Sequence, residues 1–99
     1  MAVVNLQSIT QAALADAARV TGVERGKLVV IEARAVTWQN GSVGCPEEGM
    51  AYTDALVPGY RVQIQAGERR LDYHASSRGS PVLCPEGRAM DPLPSDSQM

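Results

Sequence analysis

The sequence has no phenylalanine, and only four of its 99 residues are aromatic, one Trp and three Tyr. A buried core must therefore be built mainly from Val, Leu, Ile, Ala and Met, which bury less area per residue than aromatic side chains do. Apolar residues still make up 44% of the chain, which is typical of a globular protein and not of a disordered one. The length fits one domain with a modest core.

The sequence also lacks an excess of positive charge, because nine Lys and Arg stand against eleven Asp and Glu. This balance argues against a phosphate-binding surface, so we expect no nucleic acid partner. No apolar run approaches the roughly 20 residues of a membrane span, so we expect no membrane insertion. The first residues lack the pattern of a secretory signal, which predicts a cytoplasmic protein unless a leader has been removed.

One N-terminal helix is predicted over residues 5–20, where apolar side chains recur at spacings of three and four. Ser8 and Gln11 have the form of a capping box, and Gly22 suits the C-terminal cap. The apolar positions of this helix are Leu6, Ile9, Ala13, Ala17 and Val20.

Strands are predicted over residues 27–38, 60–65, 70–75 and 81–84, and the middle two form a hairpin around Gly67. Alternation along the hairpin places His74 on a polar, solvent-facing side. The pattern predicts an α+β fold, with the helix packed on an antiparallel sheet of three or four strands and a long structured Pro/Gly loop. We expect one domain over residues 1–85 and a disordered tail over residues 86–99.

The loop over residues 40–58 interrupts regular structure repeatedly, because it contains Gly44, Pro46, Gly49 and Pro58. The Asn40-Gly41 dipeptide suits the two positive-φ positions of a tight turn. A single helical turn is possible over residues 52–56. The loop is predicted to connect the long first strand to the hairpin.

The loop and its flanks resemble a family of small, uncharacterised bacterial proteins. The shared pattern is TWxxGSxGCPxxGxxY, then PGY, then YH and a final Cys, met here by residues 37–52, by residues 58–60, by Tyr73-His74 and by Cys84. The resemblance covers residues 14–84, and the chain departs from the family at Gln39 and Glu48, where Pro or a similar residue is usual. It implies no activity, since none is established for the family. Some members resemble exported or lipid-anchored proteins.

Cys45 and Cys84 bracket the turn-rich half of the chain, and a disulfide between them is the interpretation we favour. Three alternatives stay open. The two residues could remain free thiols in a reducing compartment. They could bind a metal together with His74, although zinc usually takes four ligands. Cys45 could also act as a nucleophile with His74 as its base.

Trp38, Tyr52 and Tyr60 are the remaining large side chains. They are expected either to hold the loop on the sheet or to form a recognition surface on it. The adjacent carboxylates Glu47 and Glu48 are more simply explained as solvated loop residues than as an acid–base pair.

Two functional hypotheses follow. The first is a non-enzymatic binding module that presents the rigid loop of residues 40–58 to another protein or a small ligand. A protease-inhibitor-like role is one form of it. The alternative is a small enzyme or redox protein that uses Cys45, His74 and Cys84. No cofactor motif is present. We expect a monomer or a weak dimer, the latter by pairing of the predicted edge strand, residues 81–84, with a second copy.

Overall fold

A computed structural model describes residues 4–94 and has one N-terminal helix and a four-stranded antiparallel sheet, so the predicted α+β fold is confirmed. Helix α1 spans Leu6–Thr21 and is followed by a short 3₁₀ turn at Arg25–Lys27. The sheet order is β1-β2-β3-β4, which puts β1 and β4 at the edges. The strand bounds are Val29–Trp38 for β1, Val57–Ala66 for β2, Arg69–Ser76 for β3 and Val82–Cys84 for β4.

Helix α1 has nearly the predicted bounds, but its capping box begins one turn earlier than the Ser8–Gln11 pair suggested by the sequence. Asn5 is the N-cap, and its side-chain oxygen accepts a hydrogen bond of 2.8 Å from the Ser8 amide. The Ser8 hydroxyl in turn accepts from the Asn5 amide at 2.9 Å. Ser8 is therefore the third residue of the helix and not its cap. The predicted C-cap is confirmed, since Gly22 has a φ of 76° and its amide donates to the Ala18 carbonyl.

The helix packs its alanine-rich side on one face of the sheet. Ala13 and Ala17 are fully buried there, and such small side chains let a helix approach a sheet closely. Tyr73 reaches from the sheet to this helix, where its hydroxyl donates a 2.8 Å hydrogen bond to Asp16. This core consists of Ile9, Ala13, Ala17, Val62, Ile64, Ala66, Leu71, Tyr73 and Ala75.

The C-terminal segment over residues 85–94 lies against the loop and β1, which differs from our expectation of a disordered tail. The Met90 amide donates to Gly44 at 2.8 Å, the Leu93 amide donates to Thr37 at 2.9 Å, and Pro92 is buried. Proline and glycine disfavour helix and strand in this segment, but they do not prevent it from packing against the loop and β1. Residues 95–99, the rest of the expected tail, lie outside the described part of the chain.

Two details of the loop also differ from the sequence prediction. In the loop, positive φ occurs at Val43, Gly44 and Gly49, with values of 49°, 74° and 83°, and not at Asn40-Gly41. No helical turn forms over residues 52–56. Within residues 4–94, no helix is both long and apolar enough to cross a membrane.

Enlarging Ala13 to Leu should separate the helix from the sheet, because its side chain has no exposed surface. Overpacking of this kind costs about 1–3 kcal/mol of unfolding free energy. Ala12→Leu is the matched control, since Ala12 is exposed on the neighbouring position of the same helix. Urea unfolding should show the loss for Ala13→Leu alone. Equal midpoints for the two variants would contradict the close packing.

Candidate functional site

The loop between β1 and β2 covers the face of the sheet opposite the helix and packs against the side chain of Trp38. The Trp38 side chain is fully buried, and its indole N–H donates a 3.0 Å hydrogen bond to the Ala75 carbonyl. A Cβ at Gly44 would overlap the indole ring, and a Cβ at Gly59 would come within 2.9 Å of the indole nitrogen. Two glycines are therefore required where the loop and β2 approach this ring.

His74 lies beside Trp38 and is fully buried, which corrects our expectation of a solvent-facing histidine. The two rings stack, with centroids 4.4 Å apart and planes inclined by 23°. The strand alternation is as expected, because His74 points away from the helix. That side of the sheet is not open to solvent, however, since the loop and the C-terminal segment cover it.

The His74 ring is held between the loop and its own strand. Its Nδ1 lies 2.8 Å from the Val43 carbonyl, which can only accept, so Nδ1 carries the proton. Its Nε2 lies 3.1 Å from Asp72 Oδ1 but is out of line for a hydrogen bond. Val43 has a φ of 49°, a rare backbone conformation for a β-branched residue. The strained residue in the loop is thus the one that offers its carbonyl to His74.

A charged pair extends from His74 toward the surface. The Arg61 guanidinium donates to both oxygens of Asp72, at 3.1 and 2.9 Å, and also to Asp91 at 2.9 Å. Burial opposes ionisation of Asp72, but the contacts with His74 and Arg61 outweigh it and lower the pKa of Asp72 to about 2. The hydrogen bonds that Arg61 donates to Asp72 likewise raise the pKa of Arg61. Both side chains are thus charged in the folded protein near neutral pH.

Cys45 and Cys84 form a disulfide pair in the structure, with Cα atoms 5.7 Å apart. Both residues are buried, at 8% and 3% exposure, so the bond ties the loop to β4 from within. The two sulfur atoms are bonded to each other and therefore do not form a ligand set with His74. Among the described residues, no group of three His, Cys, Asp or Glu side chains is placed to hold a metal ion.

The three aromatic residues named from the sequence occupy different environments. Trp38 is buried under the loop and offers no surface to a partner. Tyr52 is half-buried within the loop, where its hydroxyl accepts a 3.0 Å hydrogen bond from the Glu47 amide. Tyr60 is half-buried on the other face and packs against the helix-side core. The three therefore do not form a single cluster or a single surface.

Arg61, Asp72 and Asp91 were not among the candidate residues named from the sequence. The alternation of β2 and β3 places Arg61, Asp72 and His74 on one face, which was a usable signal. The contribution of Asp91 had no such signal, because it depends on how the C-terminal segment folds back.

Reduction of the disulfide should destabilise the protein. A bond that closes a loop of this length, between cysteines 39 residues apart, stabilises by up to about 4 kcal/mol in the chain-entropy model. The free energy of unfolding should fall with reductant and should fall similarly for the Cys45→Ser/Cys84→Ser double variant, which reductant should leave unaffected. A non-reduced chain with the intact mass of the dithiol form would rule out the bond.

Acid should weaken the fold through Asp72. The pKa of an Asp in an unfolded chain is about 3.9, whereas the pKa of Asp72 in the folded protein is about 2. The contribution of Asp72 to the free energy of unfolding is therefore fully present above about pH 3.9 and is lost as the pH falls toward 2. Between pH 5 and pH 2, the free energy of unfolding of the wild type should fall by about 2 kcal/mol more than that of Asp72→Asn. The exposed loop variant Asp54→Asn is the control. Identical pH slopes for wild type and Asp72→Asn would contradict the buried pair.

Comparison with known proteins identifies one family. No curated protein and no solved structure matches the chain. A family model described as a domain of unknown function, DUF8738, matches residues 10–84, which include α1 from its second turn, all four strands, the loop and both cysteines. The match agrees with the expected membership of an uncharacterised family and extends over most of the chain. The protein therefore belongs to the DUF8738 family.

Proposed function

We propose that this protein is a non-enzymatic interaction module that binds another protein through the outer part of its loop. This part, residues 47–56, is named here the acidic loop segment. The observation that carries the proposal is a contrast within the loop. Its base is fixed by buried contacts, whereas its outer residues expose apolar and acidic side chains.

The base of the acidic loop segment is held at several points. The disulfide lies just before it, and the Gly41 amide donates a 3.0 Å hydrogen bond to Thr53 across the loop. Tyr52 accepts from the Glu47 amide, and the Met50 amide donates to the Glu47 carbonyl at 3.1 Å. A loop constrained in this way loses little conformational entropy on binding, which supports a role in recognition.

The exposed chemistry of the segment indicates the kind of partner. Met50 and Leu56 are 58% and 64% exposed, and single exposed apolar residues would need no explanation. Here they lie in the same ten-residue segment as three exposed acidic residues, Glu47, Glu48 and Asp54. The segment contains no Lys or Arg. The complementary surface is a protein with an apolar hollow surrounded by Lys or Arg. A protease-inhibitor-like role is one form of this proposal, supported by the fixed ends of the loop alone.

The alternative of a Cys/His enzyme or redox protein receives less support from the geometry. Cys45 is bonded to Cys84, and His74 has no exposed surface. A nucleophile and its base must both reach a substrate. The groove along β1 contains none of these three residues, and the groove along β4 contains only Cys84. We therefore propose the binding role.

Site-specific photocrosslinking tests the proposal. A photoreactive amino acid at position 50 should capture a specific partner in the source cells. The same group at position 82 is the control, because Val82 is similarly exposed and lies on β4, outside residues 47–56. The proposal predicts an adduct from position 50 that is absent from position 82.

The captured partner should then be purified and titrated with variants. Met50→Ser/Leu56→Ser should weaken its affinity about tenfold or more, as expected for truncated interface anchors. Glu47→Gln/Glu48→Gln should reduce the salt dependence of binding. Val82→Ser should bind as wild type does. The same proteins captured from both positions, or wild-type affinity of the Met50/Leu56 variant, would refute the proposal.

A further inference from the structure

The two edges of the sheet differ greatly in length. Strand β4 has three residues and is flanked by Pro81 and Pro85, which limits further pairing. Strand β1 has ten residues and lies at the other edge. In the part of the chain that the structure describes, the Leu93 amide alone forms a backbone hydrogen bond with the outer side of β1, at Thr37. The edge available for pairing is therefore β1 and not the predicted edge strand, residues 81–84.

The hydrogen bond from Leu93 identifies which backbone groups face outward. Because Leu93 lies outside the sheet, the Thr37 carbonyl must point away from β2. The partner of Thr37 in β2 is Pro58, which has no amide hydrogen to donate. In an antiparallel strand, outward-facing residues alternate and present both their N–H and C=O groups on one side. Ala33 and Ala35 therefore also present their N–H and C=O groups outward.

We propose that the outer edge of β1 is a dimerisation surface, on which a second copy of this chain pairs antiparallel with Ala33 opposite Ala33. The pairing joins two four-stranded sheets into one sheet of eight strands across a two-fold axis. It satisfies the outward N–H and C=O groups of Ala33 in both copies. One groove of β1 also contains Leu56 of the acidic loop segment. The pairing is argued from the backbone and charges of β1, so the inference does not rest on the proposed function.

Charge supports the second copy as the occupant and Ala33 as the centre. Glu32 and Arg34 flank Ala33 on one face and form an ion pair of 2.7 Å within the chain. A two-fold axis at Ala33 places Glu32 of each copy opposite Arg34 of the other. Oppositely charged residues directly across paired strands stabilise a sheet, and like charges destabilise it. The edge is thus complementary to itself.

Neighbouring registers are less favourable. An axis at Arg34 would place the two Arg34 side chains opposite each other. An axis at Ala35 would bring Ala33 of the second copy against Thr37, where the outward carbonyl already accepts from Leu93. In the register centred on Ala33, Arg34 faces Glu32, and only Val29, the first residue of β1, comes opposite Thr37. This register also places Ile31, which is exposed and lies at a bulge between Val30 and Glu32, opposite the exposed Ala35 of the other copy.

The dimer should be weak, because a single pair of strands buries less surface than a standard protein interface. We expect a dissociation constant of the order of 10–100 µM. Analytical ultracentrifugation from about 5 to about 500 µM covers this range and should show a monomer–dimer equilibrium. A wild-type chain that stays monomeric across the range would overturn the proposal.

Charge reversal provides a sharper test. Glu32→Arg alone and Arg34→Glu alone each place like charges opposite one another, so each variant should be mainly monomeric. An equimolar mixture should form heterodimers, because each Arg then faces a Glu. Charge repulsion within each chain is the same in the mixture as in the separate variants. It therefore cannot explain why dimers form only in the mixture. Native mass spectrometry with one isotopically labelled chain measures the heterodimer fraction.

The matched control reverses an exposed pair of the same spacing elsewhere. Glu68→Arg and Arg70→Glu lie at the hairpin between β2 and β3 and should each dimerise as wild type does. Their mixture should give the statistical half share of heterodimer. A statistical share from the Glu32 and Arg34 variants would overturn the proposal.

Ala33→Pro tests the backbone directly. It removes an outward N–H that makes no bond to β2, so thermal unfolding should show a folded chain. Its dimerisation should weaken at least tenfold. A folded Ala33→Pro chain that dimerises as wild type does would also overturn the proposal.

Discussion

The burial of Trp38 is the constraint on which the second face of this fold depends. Its indole is the largest fully buried side chain in the described structure, in a sequence without phenylalanine. Gly44 approaches it from the loop and Gly59 from β2, and His74 stacks on its ring. Because one ring meets a loop, two strands and the Ala75 carbonyl, loss of any contact would loosen the others. The loop is therefore part of the folded domain and not an appendage.

The charged contacts around Trp38 are compatible with burial because they are paired. Asp72 is charged between the Arg61 guanidinium and His74, and Arg61 also meets Asp91 from the C-terminal segment. Removal of one member would leave a buried charge without its partner. This lowers the free energy of unfolding more than replacement of both members by apolar residues would. A buried histidine, a disulfide and a strained Val43 can mark an active site. In this protein all three join the loop to the sheet, and the recognition surfaces that we propose are the outer loop and the β1 edge.

The fold was largely predictable because its elements are local. The spacing of apolar residues in α1 and the alternation in β2 and β3 reflect helix and strand geometry, and both predictions are confirmed to within a few residues. The N-cap was misplaced, although the helix bounds were not, because Asn5 caps as well as Ser8 does and the sequence does not indicate which of the two acts. Residues 86–94 were misassigned for a related reason. Their proline content excludes helix but carries no information about which surface they contact.

The sequence by itself determined the secondary structure, the α+β class and the side of β3 on which His74 lies, since each depends on residues near one another in the chain. It also supplied the two cysteines whose pairing the structure contains. Tertiary structure alone decided that the polar side of the hairpin is covered, that His74 and Trp38 are buried, and that β1 is the longer open edge. These outcomes depend on contacts between residues that are distant in sequence, such as Val43 with His74 and Thr37 with Leu93. Periodicity reports which way a side chain points, and only the complete fold determines what it meets there.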